Sequence, residues 1–179
     1  DLQGIRLDGP GSVAEGAATS NYTVSLSGVG LGAGQSVTFT LDSASGTATE
    51  GTDFSALLAG GLTAAAGIVL TTSTGAGGVI NVTATNTTAA DLATGAALLS
   101  FTIATTQDSV VEGPETFTVT LASATATVVN PPTITTNITD DDLRAITLSG
   151  PGPVVEGNAT GPYTVSLSGV GLGAGQSVT

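Results

Sequence analysis

Cysteine, histidine, methionine, tryptophan and lysine are all absent from the 179 residues, and the only basic side chains are Arg6 and Arg144. Each absence removes a class of chemistry. Without Cys or His there is no thiol nucleophile, no Ser-His-Asp triad and no zinc site of the usual ligands, and without Lys there is no Schiff base. Disulfides do not hold the chain together, although a zero count says nothing about redox compartment. Fourteen acidic residues against two basic ones give a formal net charge of −12. That charge excludes nucleic acid and anionic membrane surfaces as electrostatic partners. No stretch reaches the roughly eighteen apolar residues of a membrane span. The longest apolar-leaning run, residues 57–70, is broken by Gly60, Gly61, Thr63 and Gly67. No basic segment precedes an apolar one at the start, so no signal peptide is read there. The abrupt ends read as those of a piece of something longer.

What is present is enough for a core: hydrophobic residues make up 40% of the chain, the level of a globular domain rather than of disorder. The strongest signal is a repeat. Residues 1–38 return as residues 142–179 at a constant offset of 141, with 29 of 38 positions identical and Tyr22 to Thr38 unchanged in Tyr163 to Thr179. Two copies this alike imply recent duplication and a parent that is a long tandem array of period 141. Two divisions are open. Residues 1–142 form a complete domain with 143–179 as the first quarter of the next repeat, or residues 39–179 are the folded unit and 1–38 belong to the preceding one.

The local patterns are those of strands. Tyr22, Val24 and Leu26 alternate with Thr23, Ser25 and Ser27, and the same period recurs in Val37/Phe39/Leu41, Ile80/Val82/Ala84, Leu99/Phe101/Ile103 and Phe117/Val119/Leu121. Period two with threonine on the opposite face marks half-buried antiparallel strands. Glycine, Asn and Pro clusters at 28–34, 75–78 and 130–132 separate them. Residues 88–99 could pass for a helix, against which stands Gly95. The fold class is therefore all-β, a two-sheet antiparallel sandwich.

The acidic residues are grouped, and the groups fall at strand ends and loops. Glu15 and its twin Glu156 lie in Val-x-Glu-Gly contexts; Glu50 and Asp53 are close neighbours; Asp108, Glu112 and Glu115 precede a strong strand; Asp140, Asp141 and Asp142 follow the strand at 133–139. Loops of a sandwich gather at its two ends, so several groups can meet at one. Like charges a few ångströms apart repel by several kcal/mol at an effective dielectric near about 20, and the chain has almost no cations of its own to oppose them. Oxygen-only donors select hard ions, and flexible carboxylates favour Ca²⁺ over strictly octahedral Mg²⁺. For Asp8, Asp42 and Asp91 the expectation is solvated surface. For the run 140–142, a polar linker competes with a ligand role.

The motifs Val13-Ala-Glu-Gly16, Thr52-Asp-Phe54, Asp108-Ser-Val-Val-Glu-Gly-Pro-Glu-Thr-Phe117 and Ile138-Thr-Asp-Asp-Asp142, in that order, resemble the Calx-beta domain. That family occurs in sodium–calcium exchangers and as tandem repeats in large bacterial surface proteins of the RTX type. The resemblance covers 13–54 and 101–142; the stretch 55–97 carries no alignable motif. It implies a seven-stranded immunoglobulin-like sandwich binding Ca²⁺ at one end through Glu15, Asp53, Asp108, Glu112, Glu115, Asp140, Asp141 and Asp142, with the Val110 carbonyl as a further oxygen. In the split arrangement Glu156 takes the place of Glu15. Gln107 departs from the exchanger pattern, where an acid is often found, which implies fewer ions or weaker binding. Glu50 lies outside the motif.

Other chemistry fits less well. Glycoside hydrolysis needs a distinct carboxylate pair and aromatic platforms, and aromatics are 3% here. Thr-x-Thr steps suggest an ice-binding face only where the structural repeat is short, and β-propensity explains them. The expected function is structural: a non-enzymatic, Ca²⁺-binding extender in a giant secreted adhesin of a bacterial cell surface, with neighbouring repeats as partners and no small-molecule substrate. The rival classes are a Ca²⁺ sensor like the exchanger domains and a Ca²⁺-dependent glycan-binding module.

Overall fold

The structure, a computed structural model, describes residues 3–129, 131–142, 144–169, 171–172, 175 and 177. Asp1, Asn130, Leu143 and Thr179, which bound the expected domains and one breaker cluster, lie outside the described residues. Two compact units are present: Asp1–Gln107 with Pro114–Thr139, and Asp108–Gly113 with Asp140–Thr179.

The first unit is a two-sheet sandwich. One sheet has the order β10-β1-β3-β8-β5, with β1 Gln3–Asp8, β3 Tyr22–Gly28, β5 Thr63–Ala64, β8 Ala97–Phe101 and β10 Thr127–Val128. The other has the order β2-β11-β9-β4-β7-β6, with β2 Ser12–Ala14, β4 Ser36–Ser45, β6 Ile68–Thr74, β7 Ile80–Asn86, β9 Glu115–Ala122 and β11 Thr133–Thr139. Each period-two pattern of the sequence falls on one of these strands, with its apolar members buried. Ile103 is buried just past the end of β8. Residues 88–99 are turns leading into β8 rather than a helix. Gly95 there has φ of +83°, a conformation that breaks a right-handed helix and costs only glycine little.

Two stacked aromatic pairs fill the core, Tyr22 on Phe101 at 5.1 Å and Phe54 on Phe117 at 4.5 Å between ring centroids. The chain changes sheets between β1 and β2 through Gly9-Pro10-Gly11. A Cβ on Gly9 would meet the Tyr22 ring, with Cε1 at 2.5 Å. Across the sandwich the Tyr22 hydroxyl donates to Thr136 Oγ1, which itself donates to the Pro10 carbonyl at 2.8 Å. The two sheets are thus tied by a polar relay as well as by apolar packing.

Asn86 is the other buried polar anchor. Its Nδ2 donates to the carbonyls of Leu31 at 3.0 Å, Gly32 at 3.2 Å and Ala90 at 2.9 Å, and its Oδ1 accepts from Thr88 N–H at 2.9 Å and Thr88 Oγ1 at 2.7 Å. Truncation would remove all of these hydrogen bonds at once from a buried position. Asn86→Ala is expected to cost about 2–3 kcal/mol in urea unfolding, and a loss below about 0.5 kcal/mol, within the range of ordinary surface substitutions, would refute this anchoring role.

The described residues of the second unit form an antiparallel hairpin, β12 Arg144–Ser149 with β13 Thr164–Gly169. Among the described residues, no helix is long and apolar enough to cross a membrane.

Candidate metal centre

Strand register assembles three acidic residues at one end of the sandwich. Parallel pairing sets Thr139 against Ala14, so that Glu15 N–H donates to the Thr139 carbonyl at 3.0 Å. Antiparallel pairing sets Ile138 against Glu115, the first residue of β9. Asp53 joins through its own backbone: Thr106 N–H donates to the Asp53 carbonyl at 2.9 Å, and Gly16 N–H to the Thr106 carbonyl at 3.3 Å. Gly16, at φ of +69°, turns the chain sharply after Glu15; a Cβ there would meet Gln107 Cβ at 2.9 Å. Asp53 Oδ2 accepts from Thr49 N–H at 2.6 Å, which fixes its side chain. Glu15, Asp53 and Glu115 are half-buried. The chain passes between the two units at Gln107, Pro114 and Thr139, all beside this end of the sandwich.

The second unit gathers the remaining acids. Asp108 Oδ1 accepts from Val110 N–H at 2.6 Å, and Asp140 Oδ1 accepts from Asp142 N–H at 2.8 Å. Each is an aspartate closing a turn onto the amide two residues on. The second Asp140 oxygen accepts from Glu112 N–H at 2.6 Å, stitching the segment 108–113 to the run 140–142. Asp108, Val110, Glu112, Asp140, Asp141 and Asp142 therefore share one region. Glu156 sits on an exposed turn of the same unit. The sequence could not rank the three aspartates of 140–142; the hydrogen bonds mark Asp140 as the organiser.

Asp142 carries the electrostatic signature. Its Oδ2 is buried without a hydrogen-bond partner among the described residues. Burial, then the Asp140, Asp141 and Asp108 charges, push its carboxyl above the usual aspartate range, with Arg144 pulling the other way. A raised folded-state value means that this group's contribution to stability is present at low pH and is lost as pH rises through that value. The orphaned carboxylate oxygen and an all-oxygen donor set fit a hard dication, which satisfies the oxygen and reverses the charge penalty.

The other acids have different work. Glu50 Oε2 accepts from Ser43 Oγ at 2.8 Å, consistent with its place outside the motif. Asp8 binds the Arg6 guanidinium, with Nε donating at 2.8 and 2.9 Å. Asp91 is exposed, as expected, and also accepts from Ala33 N–H at 3.0 Å, which clips two loops together. Half-buried Asp42 lies within β4 opposite Thr120.

A two-sheet sandwich with acidic strand ends gathered at one pole defines an immunoglobulin-like ion-binding module. The Calx-beta domain family matches residues 9–71 and 89–142, and the chain belongs to that family of calcium-binding domains. The internal stretch outside the match is therefore 72–88, shorter than the 55–97 read from motifs, and it lies in the β6–β7 hairpin. No curated protein matches the chain. Among solved structures it is similar to the apo-form Calx CBD1 domain, with a TM-score of 0.53 and 19% identity over 79% of this chain and 100% of that one. It is similar to CBD12 from CALX1.2 at 0.52 and 19%, over 87% of this chain and 53% of that one. A cohesin of Clostridium thermocellum, solved in a type I cohesin–dockerin complex, gives 0.53 and 10%, over 78% and 94%. At such identities the likeness is one of fold.

Proposed function

We propose that this chain is a Ca²⁺-binding structural module, one repeat of an array that holds a distal binding domain away from a bacterial cell surface, in an RTX-type adhesin. The observation that carries the ion is the unpaired buried Asp142 oxygen within an Asp140-stitched cluster of oxygen donors, in a chain with two cations. Glu15, Asp53, Asp108, Glu112, Glu115, Asp140, Asp141 and Asp142, with the Val110 carbonyl, form the ligand set. Glu156 serves the same part at the following repeat. The sandwich that includes residues 3–28 is the folding unit, in step with the period of 141. The module is extracellular, has neighbouring repeats as partners, and does no catalysis.

Sensing, as in the exchanger domains, is the second reading, favoured by membership of the same family. Small-angle scattering separates the two. A tandem of several repeats is expected to be an extended rod in Ca²⁺ and to shorten in average dimension in chelator. Superimposable profiles in the two buffers would remove the stiffening role and leave sensing.

A further inference from the structure

The hairpin β12–β13 repeats β1–β3 residue for residue. Ile5 pairs with Leu26 and Leu7 with Val24; Ile146 pairs with Leu167 and Leu148 with Val165, the same register at an offset of 141. The turn geometry repeats as well. A Cβ on Gly150 would meet the Tyr163 ring, with Cε1 at 2.5 Å, as Gly9 stands to Tyr22. Burial is where the copies part. Leu7, Val24 and Tyr22 are 1%, 0% and 0% exposed, whereas Leu148, Val165 and Tyr163 are 69%, 69% and 62% exposed. Ile146, Val165, Leu167 and Leu172 line an open apolar groove.

A two-stranded hairpin is marginal alone in water, and an apolar face this continuous marks an interaction surface. The identity of its cover is given by the first copy. There the same face is buried, and β3 is extended by β8, with Tyr22 opposite Phe101 and Val24 opposite Leu99. The Tyr22 hydroxyl meets Thr136 on the opposing sheet. We infer that the bare face of β12–β13 is a docking surface for a repeat body that lacks its own first hairpin, a polypeptide with the sequence of residues 39–142. The docked strand equivalent to β8 adds to the free edge of β13 by main-chain pairing, and the phenylalanine and leucine side chains of that body close over Leu148 and Val165. The hairpin and that body would then share one apolar core. The inference draws on the repeat array for the source of that body and does not need Ca²⁺.

The two tyrosines make the test direct, because residues 39–142 contain none. The full chain is compared, in tetranitromethane nitration, with the same chain extended after Thr179 by a second copy of residues 39–142. In the 179-residue chain Tyr163 is expected to react and Tyr22 to be spared; in the extended chain both should be spared. Leu148→Asp with Val165→Asp in the extended chain should restore Tyr163 reactivity. Equal Tyr163 reactivity in the two parent chains, or protection that survives the double substitution, would overturn the inference. Either result beside an intact Ca²⁺ response would leave the calcium reading standing.

Discussion

Chelation should lower the thermal midpoint of this protein by on the order of 5–10 °C, the shift expected from losing an ion held at a hundredfold excess over its Kd, about 2.7 kcal/mol. Linkage and carboxylate repulsion act together here. Folding creates the stitched cluster of Asp108, Glu112, Asp140, Asp141 and Asp142, and only the folded chain offers it to an ion. In the metal-free state the same fold holds Asp142 at a raised pKa among three other carboxylates, so chelation removes a stabiliser and exposes a penalty. Calorimetric scans in Ca²⁺, in EDTA and in EDTA with excess Mg²⁺ check this. Mg²⁺ should restore little, because a cluster of flexible carboxylates does not supply its strict octahedron. A midpoint indifferent to EDTA would remove the ion from the account.

The second large effect belongs to Asp140. Its two oxygens accept from Glu112 N–H and Asp142 N–H, so it shapes both segments of the cluster and supplies charge to it. Asp140→Ala should abolish the Ca²⁺-dependent rise in midpoint. Asp140→Asn, which keeps one acceptor oxygen but no charge, should retain the fold and weaken Ca²⁺ at least tenfold, about 1.4 kcal/mol. Asp42→Asn, on strand β4 and outside the proposed ligand set, is the matched control and should leave affinity unchanged. Equal losses for Asp42→Asn and Asp140→Asn would show a diffuse effect of net charge instead of a site.

The strands legible in the sequence were those whose own side chains carry the period. Tyr22, Val24 and Leu26, or Phe117, Val119 and Leu121, alternate large and small, and each large residue is buried. Strand β6 carries only a weak mark: Ile68 is buried and Leu70 packs against the core, but Thr71, Thr72, Ser73 and Thr74 beyond them are all exposed. Strands β2 and β10 exist because distant β11 and β1 lie parallel beside them, and no local pattern announces a parallel partner more than a hundred residues away. Residues 88–99 were ambiguous for a related reason. Alanine and threonine have too little apolar volume to fix a period, and the turns there answer to Asn86, whose side chain ends on Ala90 and Thr88.

The candidate site was legible in composition and blurred in detail. Acidic residues concentrated at strand ends, in a chain without His or Cys, pointed to hard-ion ligands before any strand was paired. The division of labour among Asp140, Asp141 and Asp142 was invisible, since three identical neighbours differ only in which amide each can reach. The contact of exposed Asp91 with Ala33 N–H was hidden for the same reason, because the two are 58 residues apart in sequence.

The most direct measurement is calorimetric titration of the metal-free chain with Ca²⁺. Saturable uptake of at least one ion per chain, undiminished by an equal concentration of Mg²⁺ and reduced in Asp140→Asn, is the predicted result. Heats no larger than those of dilution up to millimolar Ca²⁺ would contradict the claim that these carboxylates form a calcium site.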